Sequence, residues 1–451
     1  MPVADVVVIG AGLAGLVAAA RLAESGASVT LVAKGHASTH WASGAIDVAA
    51  PAGASTSAEG VRQLARDGHP YALLAQDVGP AVEWLLALLA SEGLPLAGGL
   101  EAPIRRVPTA IGGTRRVAIV PEAQAGALAP WSPDEVLVVA GPARFKDFWP
   151  VAIADSLERP SVWAGSAGPS RARGVAVDVP DLAGRRNLNA LHLAARFDDP
   201  ATRRDDIERL AEAIASVARG RRGRVALPAM AGIHDHAAAW AELRAGLPLE
   251  PFEVPLVPPS VPGLRLYAAL RAHIRSLGGR VQVGEAVARV RTEGDHVTAV
   301  ELEAAARTHL IRTGALVLAT GGLAGGGLVA HGDGSIVEPL LGLAVEAPKR
   351  DDWLRRDGLD PAGHPIEAAG IQTDDALRPV GRDGRPALTN VRVAGALLAG
   401  QRALLERCGD GVAVASGWRA AMELAGVTRA SSDGAVAGTG AAEPVSSRSQ
   451  A

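Results

Sequence analysis

Cysteine is almost absent from this chain. Its 451 residues hold one, Cys408, so no disulfide can close within the chain and the chain alone cannot ligate an iron–sulfur cluster. Lysine is nearly missing too: Lys34, Lys146 and Lys349 are the only three, and arginine supplies the rest of the positive charge. Net charge is −3 with no basic block, which excludes nucleic acid as a partner. Aromatic residues make up 3%, so a core must be built from Ala, Val and Leu. Apolar runs such as Trp84–Ala90 fall well short of the roughly 20 residues that span a bilayer. The N-terminus enters an apolar run at Val6–Ile9 with no basic segment before it, unlike a secretion signal. These absences lead to the expectation of a cytoplasmic chain without a membrane span.

What is present is a hydrophobic content of 48% and 53 glycines, in a length that allows two or three lobes. The pattern is α/β. Asp5–Ile9 reads as a strand buried on both faces. Leu13–Ser25 reads as a helix with Leu16, Ala19 and Ala20 inward, stopped by Gly26, and Ser28–Val32 as the next strand. From about Val117 to Pro262, β-rich pieces (Val117–Val120, Glu135–Val139, Gly174–Val179) alternate with helical ones (Asn189–Arg196, Ile207–Arg219). The first fold then resumes with a helix over Leu264–Leu277, ended by Gly278-Gly279, and a strand over Arg280–Val283. Val287–Arg291 and Val297–Leu302 read as a meander around Glu293-Gly294-Asp295. Strands at Ala315–Ala319 and Asn390–Ala394 and a helix over Gly411–Leu424 follow. The expectation is a Rossmann-like, two-dinucleotide-binding-domain fold. Its nucleotide domain is discontinuous, residues 1–116 and 263–426, with an inserted α+β cap lobe at 117–262 and a disordered Ala/Gly/Ser tail at 427–451.

Three motifs carry chemistry. Gly10-Ala11-Gly12-Leu13-Ala14-Gly15 follows a strand and opens a helix. Gly10 permits the tight turn, Gly12 lets backbone approach a pyrophosphate, and Gly15 lets helix and strand pack closely. The acid that usually ends the second strand and holds an adenosine ribose is missing; Ala33 and Lys34 stand there. The second motif is Ala319-Thr320-Gly321-Gly322, glycines that let the chain pass close to a nucleotide. The third is Val393-Ala394-Gly395 followed by Gly409-Asp410-Gly411-Val412. There a helix start can stabilise charge on a reduced flavin ring, which selects flavin over nicotinamide. His234 and His236 lack further flanking ligands, and no metal is expected.

Lys34-Gly35 and the loop ending Ala42-Ser43-Gly44-Ala45-Ile46 resemble the succinate dehydrogenase, fumarate reductase and L-aspartate oxidase flavoproteins. Where some of those attach flavin through a histidine, this chain has Ser38, with His40 two residues on, so the flavin is expected to be non-covalent. The likeness is closer to one family. His69-Pro70-Tyr71, Ala42–Asp47, Pro258–Val261, Gly263–Leu266, Glu338–Leu343, Thr373–Pro379 and Cys408–Val412 are similar, in order, to segments of anaerobic glycerol-3-phosphate dehydrogenase B subunits. The similarity runs from about residue 3 to 425.

That resemblance implies a subunit of an assembly that oxidises sn-glycerol 3-phosphate to dihydroxyacetone phosphate and passes electrons to quinone. It implies a catalytic A subunit and an iron–sulfur C subunit that holds the chain at the inner face of the cell membrane. It implies FMN by the family's assignment, while the fold would hold FAD. Cofactor contacts fall on Gly10, Gly12, Leu13, Ala14, Gly15, Lys34, Ser43, Gly44, Thr320, Gly321, Gly322, Gly395, Gly411 and Val412. Substrate oxidation needs a base, with His40 and His331 as candidates. It also needs arginines for the phosphate: Arg105, Arg106, Arg115, Arg116, Arg265 or Arg378. Two other readings stay open: a non-catalytic electron relay and assembly subunit, and a free-standing fumarate-reductase-like or L-aspartate-oxidase-like enzyme.

Overall fold

The computed structural model describes residues 3–179, 182, 187–303 and 309–436. Its main sheet has seven strands, built where apolar runs demand cover on both faces. Arg280–Val283, Val29–Ala33, Val3–Ile9 and His309–Leu318 lie side by side and parallel. The meander Ala286–Glu293, His296–Glu303 and the start of His309–Leu318 continues it antiparallel. The long strand His309–Leu318 serves two neighbours on one edge: its start pairs with His296–Glu303 and its end pairs in parallel with Val391–Val393. Its burial changes accordingly, from alternating at the start to continuous at the end.

The glycine-turn helix Leu13–Glu24 is buried at ten of its 12 residues, nearly all round. It packs on the C-terminal helix Gly409–Val436. An added Cβ at Gly417 would lie 2.3 Å from the Ala14 carbonyl oxygen, so the two backbones meet closely. The C-terminal helix runs into the segment expected as a disordered tail; residues 437–451 of that segment lie outside the described ones.

The helix Tyr71–Ser91 corrects the reading of short apolar runs. It has 21 residues and a mean hydropathy of 1.4 over its most apolar stretch, long and apolar enough to cross a membrane. Asp77, Pro80 and Glu83 interrupt the run in sequence without ending the helix. Its buried residues, among them Leu74, Val78, Val82, Leu85 and Leu89, recur at helical spacing and belong to the main core. Asp77 accepts a hydrogen bond from Arg419 Nε of the C-terminal helix at 2.8 Å. This is the pattern of a core helix.

A second sheet, Glu250–Val254, Gly223–Pro228, Val136–Pro142 and Arg171–Val177, is parallel throughout and has its own core. Two antiparallel ribbons, Leu96–Gly98 with Ile119–Pro121 and Arg105–Pro108 with Thr114–Val117, lie between the lobes. Val107, Val117 and Val120 belong to the second core while Ala118 and Ile119 belong to the first. The chain thus passes between the two cores within residues 117–120.

The helix Val261–Ser276 brings the chain back and is clamped to the inserted lobe by a buried ion pair. Arg265 Nη1 lies 2.6 Å from Glu253 Oε2, with side chains 2% and 1% exposed. Arg265 Nε also donates to the Gly232 carbonyl at 2.7 Å, and Glu253 Oε1 accepts the Met230 and Ala231 amides. Removing one partner of such a pair strands the other charge, at a cost of roughly 3–5 kcal/mol. Arg265→Met is expected to lower stability to urea by about that amount, and an unchanged midpoint would show the clamp to be idle.

Candidate functional site

The first glycine turn has the geometry its spacing demands. Gly10 sits at φ +116°, and an added Cβ there would lie 2.1 Å from the Ala319 carbonyl oxygen. A Cβ at Gly15 would lie 2.0 Å from the Gly10 carbonyl oxygen, so helix and strand touch through backbone. Gly12 differs: its Cβ would meet only the Ala37 Cβ, at 3.6 Å. Gly12 caps the helix with no side chain, and the first turn holds no acid. The leading amides therefore have no intrahelical acceptor and carry the positive end of the helix dipole.

The other two nucleotide motifs converge on the same place. Thr320 follows Ala319, and its buried Oγ1 has no hydrogen-bond partner. A Cβ at Gly322 would press on the Ala396 carbonyl oxygen at 2.8 Å, and one at Gly395 on the Ala14 Cβ at 2.9 Å. The Gly395 amide donates to Ser416 Oγ at 2.9 Å. The turn Gly10–Gly15, the strand end Ala319–Gly322 and the segment Gly395–Ala396 thus come together through backbone and small side chains. Free amides, an unpartnered hydroxyl and missing side chains fit a phosphate-bearing nucleotide.

The other expected contacts have these surroundings. Lys34 is exposed. Ser43 faces the inserted lobe, its hydroxyl accepting from Arg115 and its carbonyl from Gln124. Gly44 is wedged between the lobes: a Cβ would lie 2.7 Å from Pro262 Cβ and 2.9 Å from Pro121 Cγ. Gly411 packs on Tyr71 and Val48, and its amide donates to the Asp47 carbonyl at 3.1 Å. Val412 is buried. The start of the C-terminal helix is thus covered by the chain's own loop, not by open space.

The substrate candidates sort similarly. Arg265 is consumed by Glu253 and Gly232 and offers nothing to a ligand. Arg378 Nε is bonded to Asp374 at 2.7 Å. His331 is exposed beside the short strand Val329–Ala330. His40 stacks on His36 at 4.0 Å and meets the Tyr267 ring edge-on at 4.2 Å. Burial, and then His36, lower its pKa to about 4, which makes it a weak base at neutral pH.

A second group was not linked in the sequence. Arg115 Nη2 lies 2.7 Å from both Asp47 carboxylate oxygens, and Arg407 Nη1 lies 3.9 Å from one. Asp410 Oδ2 accepts the Asp47 amide at 2.9 Å. Burial and the Asp47 charge push the Asp410 pKa up to about 7. Asp47 and Asp410 each lie in a family-like segment, but nothing in either segment says that the two meet across 363 positions.

His69, Glu406 and Cys408 are buried together with ligand-type atoms within 4.8 Å. His69 Nδ1 accepts the Tyr71 amide at 3.0 Å, which puts the ring proton on Nε2, facing Glu406 Oε2 at 3.3 Å. An Nε2 carrying a proton donates to Glu406 and cannot ligate a metal. Arg66 completes the cluster at 3.1 Å from Glu406 Oε1.

The parallel sheet, the glycine cradle and the Thr-Gly-Gly strand end define a nucleotide-binding flavoprotein of the α/β class. The family described as FAD binding domain matches residues 5–412. The chain is 32% identical over 435 residues to the anaerobic glycerol-3-phosphate dehydrogenase B subunit of Yersinia enterocolitica, covering 91% of this chain and 96% of that one. It is 28% identical over 439 residues to the protein of the same name from Mannheimia succiniciproducens, covering 92% and 97%. The open form of a flavocytochrome c3 fumarate reductase overlaps 95% of this chain and 79% of its own, at 10% identity and a TM-score of 0.45. The chain belongs to the FAD binding domain family and, within it, to the family of anaerobic glycerol-3-phosphate dehydrogenase B subunits. Its cofactor is a flavin, and its relatives are named as subunits of a larger assembly.

Two outcomes follow from this geometry. Gly12→Ala is expected to cost at most about 1 kcal/mol of stability yet release the flavin, because the new methyl fills the phosphate approach. Gly15→Ala is expected to cost about 3 kcal/mol or more, since it meets backbone. Urea unfolding and flavin content separate the two; equal effects would contradict the assigned roles. The second outcome concerns pH. A carboxyl whose folded pKa is raised favours the folded state fully at low pH and loses that contribution as pH climbs from about 4 towards 7. Asp410→Asn is expected to match the parent near pH 4 and exceed it at pH 8, on the order of 1–2 kcal/mol for this partly exposed group.

Proposed function

We propose that this chain is the flavin-bearing subunit of a dehydrogenase that oxidises sn-glycerol 3-phosphate to dihydroxyacetone phosphate. One observation carries the reading. Gly12 leaves room for a ligand, with the Ala37 Cβ at 3.6 Å as the only atom an added Cβ would meet and the buried Thr320 hydroxyl unpartnered, in a chain whose relatives over nine-tenths of its length bear that enzyme's name.

The cradle residues hold the flavin without a covalent bond: the amides of the first helical turn take its phosphate, and Thr320–Gly322 and Gly395 line its path. When bound, the flavin accepts the hydride that leaves the substrate carbon. The strand Val29–Ala33 ends without an acid for an adenosine ribose, which supports FMN, whereas the family description supports FAD. The alcohol proton needs an acceptor poised near neutrality, and Asp410, pushed up to about 7, suits that task better than His40 at about 4. Electrons then leave through partners. A single buried cysteine cannot hold an iron–sulfur cluster; in the reading that the family resemblance implies, a C subunit carries the clusters and the membrane attachment, an A subunit docks beside this chain, and quinone is the final acceptor. Residues 117–262 cap the flavin domain.

A second reading, an electron-relay subunit whose partner oxidises the substrate, draws on one observation: Arg265 and His40 are both committed to internal contacts. Anaerobic addition of glycerol 3-phosphate to the purified chain decides. Bleaching of the flavin band supports the dehydrogenase reading, a flavin that stays oxidised supports the relay, and a chain that holds no flavin after reconstitution overturns both. Heat release and chromatography of the same sample identify FMN or FAD.

A further inference from the structure

Among the described residues, one cluster carries more positive charge than its own surroundings satisfy. On the ribbon between the lobes, Arg106 and Arg116 stand directly opposite each other, a like-charge pairing that an antiparallel ribbon does not favour. Arg115 on the same strand reaches Asp47, and Arg407 comes in from the turn before the C-terminal helix. Both Arg116 and Arg407 have their pKa lowered, first by burial: Arg106 and Arg407 add to this at Arg116, while at Arg407 Asp47 opposes it and Arg115 and Arg106 add to it. Two carboxyls oppose these four cations, and one of them, Asp410, is held partly protonated near neutral pH.

The internal contacts of the four are uneven. Arg116 is anchored on the Pro51 carbonyl at 2.9 Å and on the Ala54 carbonyl. Arg106 donates to Thr114 Oγ1 at 3.1 Å. Arg115 Nε is buried without a partner. Arg407 makes only the long contact to Asp47, and its side chain is 35% exposed. Its backbone sits at φ +47°, the left-handed C-cap of the short helix Ala403–Glu406. Glu406 and Cys408 on either side both point inward to His69, and this holds Arg407 towards Asp47.

We infer that Arg106, Arg115, Arg116 and Arg407 form a built site for a phosphate monoester at the junction of the two lobes. Planar guanidinium forks match phosphate oxygens in pairs, and a half-buried group of them concentrates positive potential. Asp47 keeps Arg115 oriented, and a dianion supplies the charge that the ribbon lacks. Two sources share this chemistry. One is the phosphate of the substrate, which rests on the dehydrogenase reading above; the other is the phosphate of FMN, which would then sit here in place of the first-turn amides assigned to it above.

The test uses the full-length, flavin-loaded chain and two variants, Arg407→Gly and Arg106→Gln. Glycine suits a positive φ, so Arg407→Gly is expected to keep or raise the melting temperature while removing the charge. Calorimetric titration at constant ionic strength compares inorganic phosphate, sn-glycerol 3-phosphate and glycerol. The parent is expected to bind the two phosphates competitively and not glycerol. Loss of tenfold or more in affinity for both in each variant, with flavin retained, assigns the substrate phosphate. Loss of flavin on gel filtration in the variants, with glycerol 3-phosphate affinity unchanged, assigns the FMN phosphate. Variants that keep both flavin and phosphate affinity overturn the site. Flavin bleaching is read in the same samples, so a chain that binds phosphate but is not reduced contradicts the dehydrogenase reading and leaves the anion site standing.

Discussion

Residues 42–54 form no helix or strand, yet much of this stretch is buried, and a buried loop can exist only if each backbone polar group finds a partner. Every part of the molecule contributes one. The Ala42 carbonyl accepts from Ser260 and the Ser43 carbonyl from Gln124. The Ile46 amide donates to Ile119 and the Asp47 amide to Asp410. Gly411 donates to the Asp47 carbonyl, and Tyr71 to that of Val48. The Ala50 amide donates to the Glu406 carbonyl, while Arg116 holds the carbonyls of Pro51 and Ala54. Both lobes, the interlobe ribbon and the two helices Tyr71–Ser91 and Gly409–Val436 are registered against each other by this one segment. Gly44 and Gly411 belong to that registration as well, since any side chain there would push the loop away from Pro262 or from Tyr71.

This explains what is legible in the sequence and what is not. The nucleotide cradle is local: three glycines within six residues, a strand before and a helix after, so spacing alone states the geometry, and Gly10 and Gly15 show the backbone contacts that spacing requires. The strand Arg280–Val283 and the meander are equally readable, because burial on one or two faces leaves a period in the residues. Gly411 and Gly44 resemble flavin contacts by residue type, but a glycine needed for chain-to-chain packing looks the same as one needed for a ligand. Arg265 looks available for the same reason: its partner Glu253 is a strand residue of the inserted lobe, and no periodicity announces an ion pair across a lobe boundary. The helix Tyr71–Ser91 looks shorter in sequence because of Asp77, whose partner Arg419 is 342 positions away.

The charged cluster beside the loop shows where local consistency was given up. Facing arginines on a ribbon, a left-handed Arg407 and a carboxyl at Asp410 with a raised pKa each lower stability by themselves. Proteins tend to concentrate such departures at sites of function and compensate for them elsewhere. The compensation here is visible in the nearby His69, Glu406 and Cys408 cluster. Its hydrogen bonds are internally satisfied, it is nearly excluded from solvent, and it fixes the two residues that flank Arg407. An internally bonded group therefore flanks a positively charged residue, and the same turn begins the helix whose Gly411 amide is spent on the Asp47 carbonyl. That amide is satisfied by backbone and covered by the Asp47–Val48 loop. In this chain the positive charge at the lobe junction must come from side chains, which is consistent with its concentration in arginine.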